Sequence, residues 1–277
     1  MMREGLPDLL RRAGIRPSRR AGQHHVIDRE LLLRMVNYAS PQRDEVVLEV
    51  GAGAGNLTEL LAASFGRVIA VERDRRYEPL LKRLAASHSN VELIFGDVLR
   101  LDLPRFDKVV SNIPYSISSE LTFRLLERDF RLAVLLYQEE FARRLVARPG
   151  SSEYGRLTVS VYMKAEVVLL DEVPPEAFYP QPRVSSRVVT LRPREPPFRV
   201  ENLQIFEALV RAMFQHRNQR ARNALFRSFH EVFPRERLSK EERRKRVEEI
   251  LGDYRDVRVF EMSPEDFGAI SSRIISP

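Results

Sequence analysis

Three features of the 277-residue chain predict an α/β protein built on a mostly parallel sheet, followed by a small all-α domain. Short β-branched runs alternate with helical patterns from Glu45 to about Arg192. A glycine-rich turn follows the first of these runs. Beyond a proline-marked linker the pattern is helical only. Strands separated by helices pair in parallel with both faces covered, and right-handed connections bring their C-terminal ends to one edge, where ligands bind.

The elements follow in order. Val46–Val50 reads as a buried strand, leading through the glycine turn into a helix over Asn56–Phe65. Val68–Val71 is a second strand, with a helix over Tyr77–Ala86, and Val91–Phe95 is a third. Lys108–Ser111 is a fourth, preceding a helix from Ser118 to about Glu127, and Leu132–Tyr137 is a fifth. Ala165–Leu170 and Ser186–Leu191, split by the proline-rich stretch Pro174–Pro182, fit an antiparallel pair that closes a seven-stranded sheet. Pro193, Pro196 and Pro197 mark the linker, and helices are expected over Leu203–Phe214, Arg217–Phe229, Lys240–Leu251 and Pro264–Ile270. The domains are therefore expected at 1–195 and 196–277.

Composition narrows the function classes. With 46 Lys and Arg against 39 Asp and Glu the net charge is +7, which favours a polyanionic partner. The distribution sharpens this: Arg11, Arg12, Arg16, Arg19 and Arg20 fall within ten residues. Arg211, Arg217, Arg220, Arg222 and Arg227 follow one another with no acid between Glu207 and Glu231. Each cluster alone reads equally well as a solvated helix face, whereas two flanking the sheet point to phosphate. Cysteine is absent, which excludes disulfides and thiolate chemistry, and five histidines without ligand spacing argue against a metal. No apolar run of eighteen residues exists and Met1–Leu10 lacks an apolar signal region, so a cytoplasmic protein is expected. Charged residues at 31% without cysteine suggest adaptation to heat.

The first chemical signal is Glu49-Val50-Gly51-Ala52-Gly53-Ala54-Gly55, between the first strand and its helix. Asn56 stands where a nicotinamide-dinucleotide turn needs its third glycine, so that cofactor is disfavoured. The spacing of Gly51, Gly53 and Gly55 suits S-adenosyl-L-methionine, which has no pyrophosphate to cradle. Glu72 ends the second strand, where a carboxylate accepts ribose hydroxyls, and Asp97 follows the third, where it can accept from an adenine amine. Either acid alone would read as a cap or a loop residue. Three such features at consecutive strand ends do not.

The second signal is Asn112-Ile113-Pro114-Tyr115 after the fourth strand. An adenine amine is a poor nucleophile because its lone pair is delocalised into the ring. A pair of acceptors that holds the NH2 group helps: the Asn112 side-chain oxygen and the backbone carbonyl of Ile113 or Pro114. Tyr115 can stack on an extruded base, an interaction of about 1–3 kcal/mol. Two further stretches are candidates. Gly22-Gln23-His24-His25-Val26-Ile27-Asp28 can fold over the cofactor through Gln23 and His24, with Asp28 capping a helix over Arg29–Tyr38. Phe178-Tyr179-Pro180-Gln181-Pro182-Arg183-Val184 can place Phe178 as a second aromatic face for the base and Arg183 near phosphate.

Together these residues resemble the KsgA/dimethyladenosine transferase family of ribosomal RNA methyltransferases, in an archaeal-type form. The resemblance also covers Tyr154-Gly155-Arg156-Leu157 and the segments Phe206–Phe214 and Arg217–Leu225. It implies a class I S-adenosylmethionine-dependent methyltransferase fold, Rossmann-like, with a C-terminal helical RNA-binding domain. The implied substrate is small-subunit rRNA within a pre-30S particle, with dimethylation at N6 of two adjacent adenosines and no metal or membrane; a monomer is the default. Cofactor contacts carry over to His24, Val26, Gly51, Glu72, Asp97 and Asn112, with Gly53 beside them. The catalytic set is Asn112, Pro114, Tyr115 and Phe178, and Arg183, Arg217, Arg220 and Arg222 are the RNA candidates. His25 stands where the family usually has Phe, and Ile113 where Leu is commoner. The alternatives are a large-subunit adenine methyltransferase of the resistance type and a non-catalytic nucleic-acid-binding relative.

Overall fold

The computed structural model describes residues 5–18 and 22–275, so Arg19 and Arg20 of the first basic cluster lie outside the described residues. Among the described residues nine strands form: β1 (His25–Val26), β2 (Val46–Val50), β3 (Arg67–Glu72), β4 (Val91–Phe95), β5 (Lys108–Asn112), β6 (Leu132–Gln138), β7 (Ala165–Val173), β8 (Phe178–Tyr179) and β9 (Ser186–Pro193). Seven of them make one sheet in the order β4-β3-β2-β5-β6-β9-β7, and β1 and β8 make a separate two-stranded ribbon. β2 pairs in parallel with β3 and β5, β3 with β4 and β5 with β6, while β9 runs antiparallel to β6. This is the expected sheet. Its apolar strands bury on both faces: Val47, Leu48, Val68, Ile69, Val109, Val110 and Leu135 are fully covered.

The chain order reverses between β2 and β5: from β2 the chain runs outward through β3 to β4, then crosses back to β5 on the other side of β2. There the sheet opens. Main-chain pairing between β2 and β5 stops at Leu48 and Val109, and the buried Ser111 hydroxyl then bridges the gap, donating to the Val50 carbonyl at 2.5 Å. At the opposite end Lys108 closes the same pair of strands, its Nζ 2.8 Å from the buried Glu45 carboxylate.

Two compact units are distinguished by their internal packing. The first runs to Ala142 and resumes over Glu166–Pro193, and it carries the sheet. The second comprises Arg143–Ala165 and everything from Arg194 onward. The sequence pattern predicts Arg143–Ala165 with the sheet. Instead Tyr154, Val159 and Met163 bury among Phe206, Leu209, Leu225, Phe229, Ile250 and Phe267, and the Tyr154 hydroxyl donates to the Met262 carbonyl at 2.8 Å. The helix expected over Arg217–Phe229 is shorter, forming only at Ala221–Arg227 and Phe229–Val232. The carbonyls of Arg217 and Gln219 accept from Phe260 and Val259, which draws those residues out of helical pairing.

One buried acid sets a pH dependence. Glu49, near the end of β2, is 2% exposed and accepts the Thr58 hydroxyl at 2.6 Å. Burial pushes its carboxyl up to about 8 against the pull of Thr58, and the nearby Glu72 adds to the rise. An unfolded chain titrates this group near 4.5, so its neutral form stabilises the fold fully below that pH. That stability is lost as pH rises from about 4.5 to about 8. The loss is on the order of 5 kcal/mol. Glu49→Gln keeps the shape without the charge, so denaturant unfolding at pH 5 and pH 8 should show a smaller difference in the variant than in the parent. An equal difference in both would rule out the assignment.

Candidate active site

β2, β3, β4 and β5 end side by side, and a cavity of about 450 Å³ opens over those ends, within the range of small-molecule sites. Each strand contributes in turn: Gly51 and Gly53 after β2, Glu72 to Asp74 at the end of β3, Asp97 after β4, and Asn112 to Ile117 at and after β5. Gly22 to His25 cover it from the N-terminal side.

Glu72 organises the glycine turn as well as facing the cavity. Its Oε2 accepts from the Gly53 amide at 2.8 Å and its Oε1 from the Asp74 amide at 2.7 Å. Each carboxylate oxygen keeps a lone pair for a ribose hydroxyl. Burial raises the pKa of Glu72, opposed by those two amides. Gly53 has φ +54, and a Cβ there would come within 2.6 Å of the His25 ring. Only glycine lets His25 close against the turn. The His25 Nε2 lies 2.7 Å from the Tyr77 hydroxyl, and burial, with His24 beside it, lowers its pKa to about 4, so the ring is neutral above that pH. Asp97 accepts from the Leu99 amide at 3.1 Å and lies 3.7 Å from the Arg73 guanidinium.

Asn112 is fixed in one orientation. Its Nδ2 donates to the His24 backbone carbonyl at 2.7 Å, a bond that only the NH2 end of the amide can make. Oδ1 is thereby left as the acceptor at the cavity wall. The two carbonyls expected as second acceptor differ in their bonding. The Pro114 carbonyl accepts from the Ile117 amide at 3.0 Å, as the start of a short 3₁₀ turn, whereas the Ile113 carbonyl receives no such bond among the described residues. Tyr115 is held on two sides: its hydroxyl lies 2.6 Å from the Ser186 Oγ, and its ring stacks on His24 with centroids 5.5 Å apart. The His24 Nδ1 in turn lies 2.7 Å from the Pro180 carbonyl.

His24, Gly51, Gly53, Glu72, Asp97, Asn112, Pro114 and Tyr115 thus line one cavity. Two expectations need correction. Phe178 is not an aromatic face at the cavity; it is 1% exposed in the core, because in the β1–β8 ribbon it pairs with Val26 on the apolar side. Val26 is buried there too and touches only a smaller neighbouring cavity. Gln23 lines the cavity as expected and also holds protein partners, accepting from the Ser18 amide at 2.8 Å and donating to Asp74 at 2.7 Å. Asp74 is itself pulled down to about 2, mainly by Arg76. Arg183 is exposed between β8 and β9. In the second unit, Arg217 donates to the carbonyls of Ser152 and Ser151 at 2.9 and 3.2 Å, while Arg220 and Arg222 share Asp256 at 2.9 and 2.5 Å. Sequence reasoning missed Arg73, Asp74 and Tyr77, although all three follow Glu72 closely, and nothing in the sequence linked Ser186 to Tyr115.

A sheet of this order, with a glycine turn and acids at successive strand ends, defines a class I methyltransferase. Residues 16–251 match the family described as ribosomal RNA adenine dimethylase. The chain is 46% identical to a probable ribosomal RNA small subunit methyltransferase A of Methanothermobacter thermautotrophicus, over 96% of this chain and 94% of that one. It is 42% identical to the protein so named in Thermococcus onnurineus, over 98% and 97%. Among solved structures it is similar to a dimethyladenosine transferase from Plasmodium falciparum, with TM-score 0.74 and 28% identity over 89% of this chain and 96% of that one. It is also similar to the 23S rRNA methyltransferase ErmE, with TM-score 0.65 and 27% identity over 90% and 98%. The chain belongs to the ribosomal RNA adenine dimethylase family, whose members methylate adenine with S-adenosylmethionine.

The bare glycine turn, two strand-end acids and the cavity's size fit that cofactor. Glu72→Ala removes the carboxylate expected to accept the ribose and releases the Gly53 amide together. Calorimetry should show the dissociation constant for S-adenosylmethionine rising about a hundredfold or more, as losing two hydrogen bonds to a charged group implies. An unchanged constant would contradict the placement.

Proposed function

We propose that the chain converts two adjacent adenosines in the 3′-terminal hairpin loop of small-subunit (16S) ribosomal RNA to N6,N6-dimethyladenosine. In this reading it acts in the cytoplasm, as a monomer, on a pre-30S particle. The observation that carries the chemistry is the pair of acceptors at the end of β5: Asn112 Oδ1, oriented by the His24 carbonyl, and the Ile113 carbonyl. Support for the small subunit comes from the names of the archaeal relatives and from a closer fit to the dimethyladenosine transferase than to ErmE.

Bound S-adenosylmethionine supplies an activated methyl group. Glu72 would take its ribose hydroxyls, Asp97 its adenine amine, and the turn of Gly51 and Gly53 its amino-acid end. Asn112 and Ile113 accept the two hydrogens of the target amine and hold its lone pair toward the methyl donor; alignment of this kind supplies most of the rate. No strong base is needed, because the nitrogen becomes acidic once it is methylated and sheds its proton to water. After the first transfer one N–H remains, so one of the two acceptors suffices for the second. Tyr115, braced by Ser186 and His24, offers its ring to the extruded base.

Purified small and large subunits, from cells lacking the gene, should be incubated with labelled cofactor and their RNA analysed by mass. Label in two neighbouring adenosines of small-subunit RNA is the expected result, and label confined to large-subunit RNA would establish the resistance-type reading instead. No incorporation into either would favour a non-catalytic relative.

The arginines make a second test. Arg220 and Arg222 share one acid, so together they leave positive charge for a phosphate, and Arg183 is exposed. Replacing Arg183, Arg220 and Arg222 with Ala should weaken RNA binding and reduce the slope of log affinity against log salt by about one for each phosphate no longer neutralised. Arg217→Ala should lower stability through the Ser151 and Ser152 carbonyls. An unaltered slope in the triple variant would remove these three from the RNA surface.

A further inference from the structure

Phe178 is buried, and the geometry of the β1–β8 ribbon identifies the aromatic residue that the ribbon leaves exposed beside the site. β1 and β8 pair antiparallel with His25 opposite Tyr179 and Val26 opposite Phe178. Directly opposed residues in such a pair share a face, and successive residues alternate faces. Val26 and Phe178 fill the core face, at 4% and 1% exposure. His25 turns to the other face, where its ring meets Gly53 and Tyr77 and lines the cavity. Tyr179 therefore lies on the cavity side of the ribbon, about 5 Å from His25 between Cα atoms. It is 37% exposed, one of eight large apolar side chains so open among the described residues.

The same strand end is tied to the base site. The carbonyl of Pro180, the next residue, lies 2.7 Å from the His24 ring, and that ring stacks on Tyr115. Pro180 thus ties the end of β8, through His24, to the Tyr115 side of the site, while Tyr179 itself lies outside the cavity lining. Arg183 and Val184 follow it on the same loop, both exposed.

We infer that Tyr179 is the stacking platform for the adenosine next to the one being methylated. The inference rests on the proposed function, in which two adjacent adenosines are substrates. While one base is extruded into the cavity, its neighbour loses its own stacking partner and is exposed one nucleotide away. A ring at the rim restores that stacking without hydrogen-bond readout, so it serves an unmodified and a dimethylated neighbour alike. Tyr179 is a positioning residue: it touches substrate RNA and takes no part in the transfer.

The test uses the full-length protein and small subunits from cells lacking the gene, whose RNA hairpin carries the two adjacent adenosines, together with reassembled subunits in which that hairpin is abasic at the neighbouring position. Tyr179→Ala should raise KM for the intact hairpin about 5- to 100-fold, the range of base–aromatic stacking, with kcat for the first transfer within about twofold. The dissociation constant for S-adenosylmethionine should stay put. Tyr179→Phe, which keeps the ring, should restore the parental KM. On the abasic hairpin the parent should weaken by the same factor, and Tyr179→Ala should weaken no further, because both changes remove the same stacked pair. An unaltered KM in Tyr179→Ala, or effects that multiply on the abasic RNA, would overturn the inference. If the parent methylates neither adenosine of the intact hairpin, the proposed function itself fails, and this inference with it.

Discussion

The site depends on one hydrogen bond, from the Asn112 amide to the main-chain carbonyl of His24 at 2.7 Å. A free asparagine has two orientations of nearly equal energy, one offering a donor to a ligand and the other an acceptor. A carbonyl can only accept, so this contact selects the orientation that presents oxygen to the cavity. It also ties the end of β5 to a segment 88 residues earlier in the chain, which in turn closes on the glycine turn through His25. The surfaces for donor and acceptor are therefore built by one connected piece of backbone. That is what transfer between two bound molecules requires, because small misalignments of the reacting atoms are costly.

The electrostatics follow from the same arrangement. A sulfonium is a cation, and the acids around the turn are not all charged to meet it. Glu49 is buried and held neutral up to about 8, whereas Glu72 has two backbone amides that favour its charged form against burial. Asp74 is ionised down to about 2 but is matched by Arg76. Glu72 and Asp97 are the two acids of the cavity whose place relative to the strands matches a nucleoside.

Much of this is legible in the sequence. All seven sheet strands follow from β-branched runs with turn signals between them, because a strand buried on both faces must be apolar nearly throughout. Glu72, Asp97 and Asn112 stand out because strand ends are positions that the pattern locates to within a residue or two. The failures have a common cause, which is tertiary contact. Arg156–Lys164 is helical despite Thr158, Val159 and Val161, since burying those residues with Leu157 and Met163 outweighs their weak preference for strand. Phe178 is expected at the base because an aromatic in a proline-rich loop invites that reading. Its partnership with Val26, 152 positions away, decides its side of the ribbon and is invisible locally. Arg217 reads as one more surface charge, yet the Ser151 and Ser152 carbonyls claim it.

The most direct measurement is the single-turnover rate of methyl transfer by Asn112→Ala, at saturating cofactor and RNA, beside the RNA affinity of the same variant. If the oriented amide oxygen positions the target nitrogen, the rate should fall about a hundredfold or more, as the loss of one preorganised polar contact at a reacting group implies, while RNA binding changes only a few-fold. Transfer at the parental rate, with RNA bound as before, would show that the nitrogen is held by something else.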